Sequence, residues 1–216
     1  SRCARCLWIF ALMLPVLIAC RRQSTVRPLI ISAIPDQDPE RLQRLYGSVA
    51  TYLSRQLAVP VVYKPVTDYT ASVTAFKVGD LDLVWYGGLT GVQARLQVPG
   101  AHAIVQRDID GEFHSVFIAH KGSGIQGLAG LKGRSFTFGS ESSTSGRLMP
   151  QYFLGQNGLK LEDFKGQAGF SGSHDKTISL VTAGTYEAGA LNEQVWKSRL
   201  AKGNGDREKV EVIWTS

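Results

Sequence analysis

The chain is short of cysteine, and the three it has, Cys3, Cys6 and Cys20, all fall within the first twenty residues. No pair remains downstream to form a disulfide, so the fold beyond residue 20 must rest on a packed apolar core. The Cys3-x-x-Cys6 pair has no second pair to complete a metal site, and no His-Glu-x-x-His spacing occurs. A phosphate loop ending in Gly-Lys-Ser/Thr is also missing. A Gly-x-Ser-x-Gly nucleophile elbow fails because Ser143 stands where its first glycine belongs. On these absences neither an enzyme nor a cofactor is expected. Aromatic residues are not interleaved with basic ones, and much of the +6 net charge sits at Arg21, Arg22 and Arg27. Nucleic acid is therefore not an expected partner.

Long apolar runs are scarce too. The one present, Leu7 to Ala19, follows Arg2 and Arg5, contains Pro15 and is shorter than the roughly 20 residues a bilayer span requires. A basic start, a short apolar stretch and small residues before a cysteine describe an export leader, expected over 1–19. Leu17-Ile18-Ala19-Cys20 resembles the lipobox of bacterial lipoproteins, which implies lipid on Cys20 and a tether over 20–28. A plain secretory signal with a chance cysteine is the alternative. Either way the expected location is the periplasm or the outer face of the cell membrane. Ser1 is not a start methionine, and Glu211 to Ser216 stops where a strand is finishing, so truncation at both ends is expected.

Beyond the tether, apolar strand patterns alternate with helical ones. Leu29–Ile34 reads as a strand, and Asp38 with Pro39 opens a helix bearing Leu42, Leu45, Tyr46, Val49, Leu53 and Leu57 at helical spacing. Val61–Val66, Leu81–Trp85, Ala101–Gln106 and Phe113–Ala119 read as further strands, with helices over 69–78 and 89–96. Five glycines in the thirteen residues 121–133 mark a change of composition. The alternation then restarts, with strands at 134–138, 168–170, 186–191 and 209–214 and helices at about 145–157, 174–183 and 192–201. Such alternation predicts an α/β fold of two lobes, each a mostly parallel sheet flanked by helices. The lobes are expected over 29–115 and 116–210, with 211–216 starting a return crossing.

The richest segment is Ser142-Ser143-Thr144-Ser145-Gly146, between an apolar strand and a helical pattern. A helix start leaves about four amides without intrahelical acceptors and carries the positive end of the helix dipole. Hydroxyls add donors, and Gly146 allows close approach, so the segment suits an oxyanion. An ordinary Ser/Thr cap is the competing reading. In open parallel sheets ligands bind beyond the carboxyl ends of the strands. The loops 67–69, 86–88, 140–146 and 171–174 all fall there.

Several motifs carry a family likeness. Gly130-Leu-Lys-Gly-Arg134, Asp68-Tyr69, Trp85-Tyr86-Gly87, Ser143-Thr144-Ser145-Gly146, Gly172-x-His174 and Asn192-Glu193 resemble the phosphate/phosphite/phosphonate-type periplasmic solute-binding proteins of ABC transporters. The likeness spans Leu29 to Ser216. Val84 to Arg95 is most similar to a subgroup assigned to selenate transport. The resemblance implies the two-lobed, type II periplasmic-binding-protein fold, with an oxyanion captured in the cleft and delivered to permease and ATPase subunits by a monomeric receptor. It also implies ligand contacts from Tyr69 and Tyr86 in the first lobe and from Ser143, Thr144, Ser145, His174 and Glu193 in the second. Read without it, the tyrosines serve equally as core, His174 as a structural histidine and Glu193 as an exposed helix-start carboxylate. At the cleft, Glu193 would favour a ligand bearing a proton or an ammonium group, because an ionised carboxylate only accepts hydrogen bonds. Selenate capture, or an anion-sensing domain that signals through a partner, are the other functions the fold allows.

Overall fold

The computed structural model describes residues 26–203 and 206–216. The expected leader over 1–19, Cys20 and most of the tether lie outside the described residues.

Strand β1 (Leu29–Ala33) runs between β2 (Val61–Tyr63) and β3 (Leu83–Trp85), parallel to both. Helix α1 (Pro39–Leu57) starts where Asp38 Oδ1 accepts the Arg41 amide at 3.0 Å, with Pro39 at its first position. Both features satisfy or remove orphan amides of the first turn, so this boundary follows from the local sequence. Helices α2 (Tyr69–Lys77) and α3 (Gly88–Gln97) complete the first lobe. Its core is small, built on Ile31, Ala50 and Val61.

The second sheet has the order β6-β5-β7-β4-β8. Its strands are β4 (Ser115–His120), β5 (Phe136–Phe138), β6 (Gly169–Phe170), β7 (Ala188–Asn192) and β8 (Val210–Thr215). Helices α4 (Met149–Gln156), α5 (His174–Thr182), α6 (Glu193–Ala201) and α7 (Asp206–Lys209) accompany them. Phe117 and Ala119 join Phe136, Phe138, Leu154 and Phe164 in one core cluster. Val116 and Ile118 join Ile178, Val181, Leu191 and Trp196 in another. Because side chains alternate along a strand, β4 is covered on both faces. That double burial explains its continuous apolar run, Val116 to Ala119.

Three expectations need correction. The second sheet is mixed, because β4 runs antiparallel to β7 and β8 while β5 is parallel to β6 and β7. Strand β4 arrives from the first lobe and not through a βαβ unit, so the handedness of such units does not set its direction. The strand expected over Ala101–Gln106 is irregular chain, with Ile104 and Val105 about two-thirds exposed. Among the described residues no strand pairs with it, and an apolar run gains little from extension without a ladder to join. The helix expected from about 145 opens instead as a π-helical turn, Thr144–Leu148, before α4.

Candidate functional site

The loops that follow β1, β2, β3, β5, β6 and β7 meet where the two lobes face each other. Beyond β5, Ser143 caps the π-helical turn, its Oγ accepting the Gly146 amide at 3.0 Å. At such a helix start the Thr144 and Ser145 amides have no intrahelical acceptor. Ser143 and Ser145 are both buried. A Cβ at Gly146 would lie 3.0 Å from Ser143 Oγ, 3.2 Å from Gly139 Cα and 3.3 Å from His174 Cε1. Glycine is thus what lets the imidazole approach this turn.

His174 is the first residue of α5 and is buried. Its amide donates to Asp36 O at 2.9 Å, across the gap between the lobes. Nδ1 accepts the Asn192 amide at 3.4 Å, which leaves the proton on Nε2 and that nitrogen without a protein partner. Burial pushes the imidazole pKa down to about 4, so the ring is neutral near pH 7 and Nε2–H is a donor.

Tyr69 opens α2 from the first lobe, behind the Asp68 cap that accepts the Ala71 amide at 2.7 Å. Its hydroxyl is buried and makes no hydrogen bond of ordinary geometry. Burial raises its pKa well above the usual phenol value, opposed by the neighbouring Ser143 hydroxyl of the second lobe. An orphaned hydroxyl beside Ser143 is an energetic liability unless something polar occupies the gap. Thr144 also reaches across, its Oγ1 accepting the Leu89 amide of α3 at 2.8 Å.

Not every expected residue joins this group. Tyr86 donates its hydroxyl to Ser72 O at 2.9 Å and sets its ring edge-on to Phe76, so it ties α2 to the end of β3 within the first lobe. Glu193 begins α6 and pairs with Lys197 at 2.9 Å. Its side chain lines a hollow with Ile109, Glu112, His114 and Gln194, and no hydrogen bond joins it to Tyr69, Ser143 or His174. Ser145 is placed in the turn itself, beside Thr144.

One residue that sequence reasoning missed is Asp36. It lies just past β1, its carbonyl holding the His174 amide. Burial lifts its carboxyl pKa to about 6, against the pull of Gln37 and of the more distant Arg107 charge. The same carboxylate raises the pKa of Tyr69, Tyr46 and Tyr63, which places it amid phenols at the gap. Its signal was positional: it follows the central strand of a parallel sheet. Arg107, which packs over the Trp85 ring at 5.6 Å, is held by Asp110 through Nε at 3.1 Å. Among the described residues no group of side chains has the composition to hold a metal ion. No described helix is long and apolar enough to cross a membrane.

Known proteins resemble this chain in sequence and fold. The family described as "ABC transporter, phosphonate, periplasmic substrate-binding protein" matches residues 31–216. Over 198 residues the chain is 52% identical to the "Probable ABC transporter phosphite binding protein PhnD1" of Prochlorococcus marinus, covering 88% of this chain and 67% of that protein. The structure of PhnD1 from Prochlorococcus marinus in complex with methylphosphonate superposes with a TM-score of 0.86 at 50% identity, over 88% of this chain and 72% of that one. A binding protein component of a Pseudomonas aeruginosa ABC phosphonate transporter shares the fold, with a TM-score of 0.75 at 20% identity over 88% and 65% of the two chains. Motif order, fold and family match agree: the chain belongs to the periplasmic substrate-binding proteins of phosphonate ABC transporters.

Proposed function

We propose that this chain captures a small, singly protonated phosphorus oxyanion, of the phosphite or methylphosphonate kind, between its two lobes. The observation that carries this reading is the Tyr69 hydroxyl, buried beside Ser143 without a hydrogen bond of ordinary geometry. An anion there would be met by that hydroxyl, by Ser143 and Ser145, by the open amides of the π-helical turn and by neutral His174 Nε2–H. Such donors stabilise negative charge without an opposing buried cation. Asp36 supplies what a fully deprotonated anion could not use: an acceptor for a P–OH proton. That favours a monoprotonated ligand over selenate, which carries no proton near pH 7.

In this reading the lobes run over 29–115 and 116–210. Strand β8, antiparallel to β4, takes the chain back toward the first lobe. The receptor works as a monomer and hands its ligand to permease and ATPase subunits. Lipid on Cys20, after removal of 1–19, holds it at the membrane surface. The Leu17-Ile18-Ala19-Cys20 run supports that anchor.

A thermal-shift and calorimetric screen tests the ligand assignment, using phosphite, methylphosphonate, 2-aminoethylphosphonate, phosphate, sulfate and selenate. A ligand at one hundred times its Kd adds about 2.7 kcal/mol of stability. Phosphite or methylphosphonate should do so, unchanged by the protein. Stabilisation by selenate or sulfate alone would overturn the reading, as would hydrolysis of a phosphonate ester. Cys20→Ala should release the protein from membranes, and undiminished retention would refute the anchor.

A further inference from the structure

Beside the anion site the two lobes are joined by contacts that touch no ligand donor. The Asp38 amide of the first lobe donates to Asp175 Oδ2 of the second at 2.9 Å. Arg41 Nη2 donates to Ser198 Oγ at 3.2 Å. Asp175 is the second residue of α5, directly after His174. Its other oxygen lies 3.9 Å from Arg199 Nη1, and Arg199 Nε is held at 2.7 Å by the buried carboxylate of Asp206, which also accepts from Thr182 Oγ1 at 3.1 Å. The Asp175 carboxylate is therefore fixed from behind by its own lobe while its front face takes an amide from the other.

The register of the contact is what gives it meaning. Asp38 serves twice: its side chain caps α1, and its amide reaches across to Asp175. Two residues earlier in the same loop, Asp36 O accepts the His174 amide at 2.9 Å. Residues 36 and 38 of one lobe thus meet residues 174 and 175 of the other as a matched pair of hydrogen bonds. Both bonds cross the gap, so parting the lobes would break them, and together they set the α5 start, and with it the imidazole, against the gap. A charged acceptor strengthens such a bond beyond that of a neutral pair.

We propose, on the basis of the ligand-capture reading above, that Asp175 is a positioning residue: by taking the Asp38 amide it holds the closed form and keeps His174 aimed at the bound anion. It does so without touching the ligand. Its effect falls on escape of the ligand, which requires the lobes to part, and not on encounter. In an open form Asp175 would be solvated and still near Arg199, so stability without ligand should depend little on it.

The test measures methylphosphonate binding by stopped flow on the full chain, with Asp175→Ala and Asp175→Asn beside the wild type. Asp175→Ala should raise the dissociation rate about tenfold and leave the association rate within about twofold. Asp175→Asn, whose amide oxygen still accepts, should restore most of the loss. Melting temperatures of the ligand-free proteins should agree within about 2 °C, less than the roughly 2–4 °C that 1 kcal/mol produces at this size. An unchanged dissociation rate in Asp175→Ala would overturn the proposal, as would equal impairment in Asp175→Asn or a matching loss of stability without ligand. Should the wild type bind none of the anions, the ligand-capture reading fails and the positioning role is judged separately. Spin labels on the two lobes would then report the closed population, which Asp175→Ala should deplete and Asp175→Asn retain; equal closed populations in all three proteins would overturn it.

Discussion

The Leu89 amide, at the start of α3, is capped by Thr144 Oγ1 at 2.8 Å, from a residue in the opposite lobe. Gly87, the residue that caps the start of α3, offers no side chain for the purpose, so a hydroxyl 55 positions away does the capping. Gly88 permits the approach: a Cβ there would lie 3.3 Å from Thr144 Oγ1. Thr144→Val keeps the shape and deletes the acceptor. It should cost about 1 kcal/mol of closed-state stability, within the usual range for a lost cap, read as a lower melting temperature with ligand bound. Thr144→Ser should lie near wild type.

Tyr69→Phe separates folding from binding. Removing a buried hydroxyl that has no partner should leave the ligand-free protein as stable as wild type or up to about 1 kcal/mol more so. Affinity for the oxyanion should fall at least tenfold. Denaturant unfolding and calorimetry measure the two effects on the same samples.

His174 and Asp36 give opposing pH dependences. The imidazole pKa is lowered from 6.5 to about 4 on folding, so the unfolded chain binds its proton first. Its contribution to stability is present above pH 6.5 and is lost as pH falls toward 4. The Asp36 carboxyl is raised from 3.8 to about 6, so the folded chain binds that proton first. Stability from Asp36 is greatest below pH 3.8 and declines as pH rises to 6. Each contribution is on the order of 3 kcal/mol, and in wild type they largely cancel between pH 4 and 6. Asp36→Asn should therefore lose stability steeply on acidification through this window, whereas His174→Asn should gain it. Unfolding titrations at several pH values check both signs.

Gly146→Ala should abolish anion binding in a protein that still folds. The added methyl would crowd Ser143 Oγ at 3.0 Å and His174 Cε1 at 3.3 Å, so the imidazole or the cap must give way. Circular dichroism would report the fold and calorimetry the lost binding.

Local chemistry made much of this legible beforehand. Asp38 with Pro39 announces a helix start through short-range hydrogen bonds, as does the Ser/Thr cap weighed for 142–146, and both caps are present. The hydroxyl-rich turn was legible for the same reason. What escaped depended on partners distant in the chain. Asp36 reads as one more loop carboxylate until burial among tyrosines alters its chemistry. The Ala101–Gln106 run has the pattern of a strand, but pattern does not supply a neighbouring ladder. Tyr86 looked like a ligand donor, and nothing nearby in sequence reveals that Ser72 O takes its hydroxyl.

The double burial of β4 has a mechanical corollary. Clamped between β7 and β8 and covered above and below, this strand behaves as a rigid anchor. Among the described residues the covalent path from one lobe to the other runs through 98–114, where no strand forms. A swing of the halves would bend that stretch, which makes it part of the pivot on which trapping and release would turn.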